Sequence, residues 1–153
     1  MFKMKTIIYI IIVAIILLLF TGCFVYSKIK PILFPTFETT MVLNWDIKIP
    51  LPENKVKVAS DIGGFPINGS VFYIFEYDDV KDLENSLEWK DKNQSVQNMV
   101  NTFFEDTGFA KDEINTIINS KNSYKSYYKT KADGSYIILI FMDNVLYIMQ
   151  TIM

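Results

Sequence analysis

Residues 136–152 read YIILIFM-DN-VLYIMQTI. The first seven are nearly all apolar, which is typical of a central strand that is covered on both faces. Asp143-Asn144 indicates a tight turn, and residues 145–152 are predicted to form the last strand. The end of the chain therefore predicts a hairpin inside a sheet.

A second predicted hairpin comes just before the first. Residues 124–131 indicate a strand, and Ala132-Asp133-Gly134 follows, where Asp-Gly is a strong turn signal. Lysines and tyrosines alternate through this region. We interpret it as an edge strand that its lysines protect from aggregation. The alternative is a surface for single-stranded nucleic acid or carbohydrate. The residues in question are Lys121, Tyr124, Lys125, Tyr127, Tyr128, Lys129 and Lys131.

Three more strands are predicted nearer the N-terminus. Over residues 41–49, large apolar side chains occupy every second position, which indicates a half-buried strand. Residues 55–59 and 71–77 carry shorter signals of the same kind.

The middle of the chain has helical spacing. Asp78 or Asp79 can cap a short helix, and Ser95 is the expected N-cap of a clearer one. That second helix carries Val96, Val100 and Phe103 on one face, and Gly108 can end it. A third short helix is expected over residues 111–118.

This order, βββ-αα(α)-βββ, predicts an α+β fold. We expect a mainly antiparallel sheet of about six strands with helices on one face, preceded by an apolar N-terminal helix. Residues 1–22 are expected to be a signal peptide or membrane anchor, residues 23–40 a connector, and residues 41–153 a single small domain.

Composition excludes several functions. The chain of 153 residues has no His, no Arg and one Cys. A Ser-His-Asp or Cys-His site cannot exist within it, and an internal disulfide would need a second thiol. We predict no catalytic residue, metal site or cofactor. The formal charge is −2, and it becomes −4 when residues 1–22 are removed, so nucleic-acid binding is disfavoured.

The N-terminus has the order of a secretory signal. Lys3 and Lys5 precede fifteen uncharged residues that end at Phe20, and Thr21-Gly22-Cys23 follows, which completes the segment Phe20-Thr21-Gly22-Cys23. These last four residues resemble the lipobox of a bacterial lipoprotein signal peptide, although Phe20 stands where Leu is usual. The resemblance covers about 23 residues. It implies that a diacylglycerol is attached to Cys23 and that the chain is cut just before it.

An uncleaved transmembrane helix is the competing hypothesis. The uncharged run continues to Ser27 and spans 22 residues, whereas roughly 20 suffice to cross a bilayer. Phe24-Val25-Tyr26 is also more apolar than the usual lipoprotein tether. Both hypotheses predict a domain beside the cell membrane, on its extracytoplasmic side.

Two other regions are candidates for function. The loop Gly63-Gly64-Phe65-Pro66-Ile67-Asn68-Gly69 is a wide connection needing positive φ at its glycines, or a recognition loop with Phe65 as its anchor. Residues 76–113 are acidic, and we interpret their carboxylates as solvated helix faces and caps.

Three functional hypotheses follow. The first is a membrane-tethered, non-enzymatic domain that binds a protein or surface ligand. The second is an inhibitor or immunity-type protein whose acidic face blocks a basic partner. The third is a hydrolase that uses two carboxylates, which would have to face each other across a groove.

Overall fold

The structure, a computed structural model, describes residues 9, 12, 14–26, 36–62, 68–109, 116, 118 and 123–153. The chain divides into two compact units, Met1–Asn44 and Trp45–Met153. In the first unit, residues 14–26 are helical and are called the apolar helix below. A second helix, α1, spans Phe37–Trp45, so its last residue belongs to the second unit.

Helix α1 has a defined beginning and end. The Thr39 amide donates to Thr36 Oγ1 at 3.3 Å, and the Thr40 amide donates to the Thr36 carbonyl at 2.9 Å. Thr36 therefore acts as the N-terminal cap. Asp46 follows the helix with φ 53°, a left-handed conformation that Asp tolerates better than most residues, and the helix ends there.

The predicted strand over residues 41–49 is therefore wrong. Met41 and Trp45 lie one helical turn apart and are both buried, whereas Leu43 is 72% exposed. A spacing of four residues fits one face of a helix as well as one face of a strand. The alternation of apolar residues therefore does not distinguish a strand from a helix here. The hydrogen bond to Thr36 caps the first turn and favours the helix.

The second unit is built on one antiparallel sheet. Its strands are β1 (Asn54–Ser60), β2 (Gly69–Glu76), β3 (Lys90–Asp91), β4 (Lys125–Thr130), β5 (Tyr136–Met142) and β6 (Val145–Ile152). Their order in the sheet is β1-β2-β6-β5-β4-β3, and every neighbouring pair is antiparallel. The predicted α+β class with a six-stranded antiparallel sheet is confirmed. Its membership differs, because the short β3 was not predicted and residues 41–49 are not a strand.

The two predicted hairpins are confirmed. Met142 pairs with Val145, and Asp143 and Asn144 between them have φ 49° and 63°, as a type I′ turn requires. The β4–β5 turn is longer, because Thr130 pairs with Tyr136. There the Lys131 amide donates to the Ser135 carbonyl at 2.8 Å.

Two helices follow β2. Helix α2 is one short turn, Lys81–Glu84, and α3 spans Gln94–Thr107. The N-cap of α3 is Asn93 and not Ser95, since Asn93 Oδ1 accepts a 3.0 Å hydrogen bond from the Val96 amide. Gly108 ends the helix with φ 66°, as predicted. Of the expected third helix, the described residues Thr116 and Ile118 are helical, and the remainder lies outside the described residues.

Both faces of the central strands are buried. Val96, Val100, Phe103 and Phe104 of α3 pack in one cluster with side chains such as Ile138 and Ile140 of β5. The opposite face carries Ile137 and Leu139, which are also fully buried. Trp45 lies against this second face: its Nε1 donates to Gln150 Oε1 at 3.1 Å, and its carbonyl accepts from Lys129 Nζ at 2.5 Å. Helix α3 therefore covers only one of two buried faces.

Replacing Asn93 with Ala is expected to lower the free energy of unfolding by about 1 kcal/mol, because the Val96 amide loses its cap acceptor. Asn93→Asp retains an acceptor and places a negative charge at the helix N-terminus, so its stability should match wild type. Ser95→Ala is the matched control and should change little. Urea unfolding of the full chain in detergent, followed by circular dichroism, measures all three. Equal losses in the Ala and Asp variants of Asn93 would contradict the cap.

Candidate functional site

The four lipobox positions lie together at the end of the apolar helix. Phe20, Thr21, Gly22 and Cys23 are helical and exposed, and the Cys23 thiol is free. Thr21 Oγ1 donates a 2.6 Å hydrogen bond to the Leu17 carbonyl, one turn earlier. A Cβ atom added at Gly22 would meet no atom within 4 Å. The thiol is therefore open to a modifying enzyme.

The apolar helix exposes its large side chains. Phe20 is 72% exposed. Other exposed apolar residues on this helix are Ile15, Ile16, Leu17, Leu18, Leu19, Phe24, Val25 and Tyr26. No helix in the described part of the chain has both the length and the apolar composition needed to cross a bilayer.

The candidate recognition loop is described only at its end. Gly63, Gly64 and Phe65 lie outside the described residues, so the recognition role stays a prediction. Asn68 directly precedes β2 and Gly69 begins the strand with φ 116°. A Cβ there would lie 2.8 Å from the Asp61 carbonyl oxygen. Gly69 therefore has a structural reason to be glycine, which agrees with the wide-connection interpretation.

Asp61 closes the base of this loop. Its amide donates to the Ser70 carbonyl at 3.0 Å, and its Oδ1 accepts from the Ser70 amide. No role was predicted for Asp61 from the sequence. An Asp at the edge of a Gly-rich connection is a usable signal, because Asp side chains often accept from main-chain amides in turns.

The lysines and tyrosines of β4 lie beside β3. Lys125 Nζ and Asp91 Oδ1 form a 2.7 Å ion pair, and Lys90 Nζ lies 5.5 Å from the centre of the Tyr128 ring. Tyr128 is 39% exposed. Tyr124 differs, because its side chain is buried in the core cluster and burial raises the pKa of its hydroxyl. The sequence pattern thus combines one core tyrosine with an exposed, lysine-rich edge.

The acidic residues are spread over several elements. Glu76 ends β2 and accepts from Asn54, Asp79 accepts from the Lys81 amide, and Glu105 and Asp106 lie in the last turn of α3. Among the described residues, no group of three or more Asp, Glu or Cys side chains is placed to hold a metal ion.

Two open cavities bear on the hydrolase hypothesis. One, of about 320 Å³, lies beside α3 and is lined by Asp106 and Tyr136 among others. The other, of about 390 Å³, is lined by Lys48 and Asp82 with three neutral residues. Each contains one carboxylate, whereas glycoside hydrolysis requires two that flank the scissile bond. Neither cavity brings together the required pair.

Comparisons with protein-family models, with curated proteins and with solved structures found no match for this chain. No residue therefore acquires a role from a relative. Two features remain candidates for function because of their geometry. They are the exposed Gly22-Cys23 pair and the lysine-rich edge at β4.

Gly69→Ala is expected to lower the free energy of unfolding by more than about 2 kcal/mol, because a side chain at φ 116° would also collide with the Asp61 carbonyl. Gly108→Ala is the matched control. Its φ is also positive but its surroundings are open, so about 1 kcal/mol is expected. Urea unfolding compares the two. A smaller loss at Gly69 than at Gly108 would contradict the structural role.

Proposed function

We propose that this chain is a membrane-tethered, non-enzymatic binding protein. Cys23 carries the lipid, and the domain from Trp45 to Met153 lies on the extracytoplasmic side of the cell membrane, where it binds a partner. The observation that carries the proposal is an exposed Gly22-Cys23 pair on a helix whose large apolar side chains are exposed.

Gly22 supports a processing site over a structural role. Glycine inside a helix costs about 1 kcal/mol relative to Ala. No neighbouring atom within 4 Å requires its missing side chain, and Gly22 has no positive φ. Lipoprotein signals, which residues 20–23 resemble, carry Gly or Ala just before the modified Cys. Cleavage by a signal peptidase would therefore explain a glycine at this position, whereas packing does not.

The apolar helix supports a membrane environment. Each large apolar side chain left in water forgoes about 1.5–3 kcal/mol of burial free energy. A helix that is apolar on all sides is typical of one surrounded by lipid or protein. Cleavage before Cys23 would make the lipid the tether, and an uncleaved chain would be held by the helix itself. The proposal commits to the first form.

The inventory of side chains favours binding over catalysis. The chain lacks His and Arg, so general-base catalysis near neutral pH would fall to a carboxylate or an amine. Each of the two cavities is lined by a single acid, Asp106 in one and Asp82 in the other. We therefore expect the domain to act by binding a partner through its surface.

Palmitate labelling of the expressed full chain tests the tether. Wild type should take up label and lose the mass of residues 1–22, and Cys23→Ala should do neither. Gly22→Leu should prevent processing by enlarging the residue before the cut, whereas Thr21→Ser, the matched control, should be processed normally. An unlabelled wild-type protein of full-length mass would refute lipidation and leave the uncleaved anchor.

A further inference from the structure

Among the described residues, one edge of the sheet is only partly covered by a neighbouring strand. Strand β3 pairs with β4 at two positions, Lys90 with Ser126 and Asp91 with Lys125. Beyond them, the strands that the structure describes pair with residues 127–130 from the β5 side only. We call residues 127–130 the open β4 edge.

The direction of the main-chain groups along β4 follows from two hydrogen bonds. The Tyr124 carbonyl accepts from the Lys92 amide on the β3 side at 3.0 Å, while the Lys131 amide donates to Ser135 on the β5 side at 2.8 Å. Main-chain groups alternate in direction along an antiparallel strand. The amides and carbonyls of Tyr128 and Thr130 therefore point outward, and the described part of the chain supplies them with no hydrogen-bond partner.

The charge around the open β4 edge is positive, in a chain whose formal charge is −2. Lys90, Lys125, Lys129 and Lys131 lie on or beside it, against Asp91. That carboxylate is already paired with Lys125 at 2.7 Å. The nearby Asp133 is taken up by its own turn, since its Oδ1 accepts from the Ser135 amide at 2.9 Å. An acidic strand would therefore meet complementary charge here.

The opposite edge of the sheet is less suited to strand addition. Strand β1 also carries lysines, but its register with β2 shifts between Lys57 and Ala59. Such a bulge bends a strand and interrupts regular pairing. The register of β4 with β5 runs without a shift from Lys125 to Thr130.

We propose that the open β4 edge docks an extended, acidic segment of a partner protein, which adds to the sheet as a seventh strand. The outward groups of Tyr128 and Thr130 supply main-chain hydrogen bonds, and the lysines select negative side chains. The inference rests on the proposed function and specifies its partner class. A second copy of this chain is a poorer occupant, because lysines would face lysines across the new pair.

The test uses the protein as extracted from membranes into detergent micelles, and a fluorescent eight-residue peptide of alternating Thr and Asp. Fluorescence anisotropy should show saturable binding that weakens as salt is added. Two control peptides separate the contributions. Replacing Asp with Lys should abolish binding, and N-methylation of alternate residues, which removes main-chain donors, should weaken it about tenfold, the scale of one or two lost hydrogen bonds.

Protein variants locate the site. Thr130→Pro removes one outward amide without breaking a bond to β5, and should weaken binding about tenfold. Thr130→Val keeps the amide and should bind within about twofold of wild type. Lys90→Glu should weaken binding, while Lys57→Glu on the opposite edge is the matched control. If Thr130→Pro fails to fold, the N-methylated peptide still decides the role of main-chain pairing.

Several results would overturn the inference. They are absence of saturable binding, equal binding of the Lys or N-methylated peptide, and stronger binding of oligothymidine than of the acidic peptide. A dimer that Thr130→Pro dissociates would assign the edge to a second copy instead. Cys23→Ala protein should bind the peptide like wild type. If wild-type protein takes up no palmitate but binds the acidic peptide, only the tether is refuted. If it takes up palmitate but does not bind the peptide, only the docking site is refuted.

Discussion

Burial of β5 on both of its faces is the constraint on which the domain depends. Ile137 and Leu139 lie on one face of the strand and Ile138 and Ile140 on the other, and all four are inaccessible to solvent. Each contributes about 1.5–3 kcal/mol when removed from water, which is large beside a typical net stability of 5–15 kcal/mol. Such a strand needs a cover on each face. Helix α3 provides one, and Trp45 contributes to the other through its hydrogen bond to Gln150.

The face of β5 that Trp45 covers is the part of the fold that was not predicted from the sequence. The β5–β6 hairpin and α3 were predictable, because an unbroken apolar run, Asp143-Asn144 and the Gly108 terminator are local signals. Trp45 was assigned to a strand, because its four-residue spacing from Met41 fits both periods. Its partner Gln150 is 105 residues away, and no local pattern links the two. The sequence predicted positive φ for the glycines of the loop that ends at Gly69. It did not predict that the Asp61 carbonyl would leave no space for a side chain at Gly69.

Gly22 differs from two glycines that the fold itself requires. Gly69 and Gly108 both have positive φ, and Gly69 also lies against the main chain of Asp61. Either condition is a sufficient physical reason for glycine. Gly22 meets neither condition and lies in a helix, where glycine is unfavourable. It lies immediately before Cys23, which carries the single thiol of the chain, and both residues therefore support the proposed tether.

If the open β4 edge docks an acidic strand as proposed, the same lysines would both prevent self-association and select the partner. An uncovered strand exposes main-chain donors and acceptors that would pair with any other edge, including that of a second copy. The positive charges of Lys90, Lys125 and Lys129 make pairing with another positively charged edge unfavourable. The same charges favour pairing with a strand that carries carboxylates. Protection against self-association and selection of an acidic partner are therefore not alternatives. The proposed membrane tether would increase both demands, because confinement to a surface raises the local concentration of copies as well as of partners.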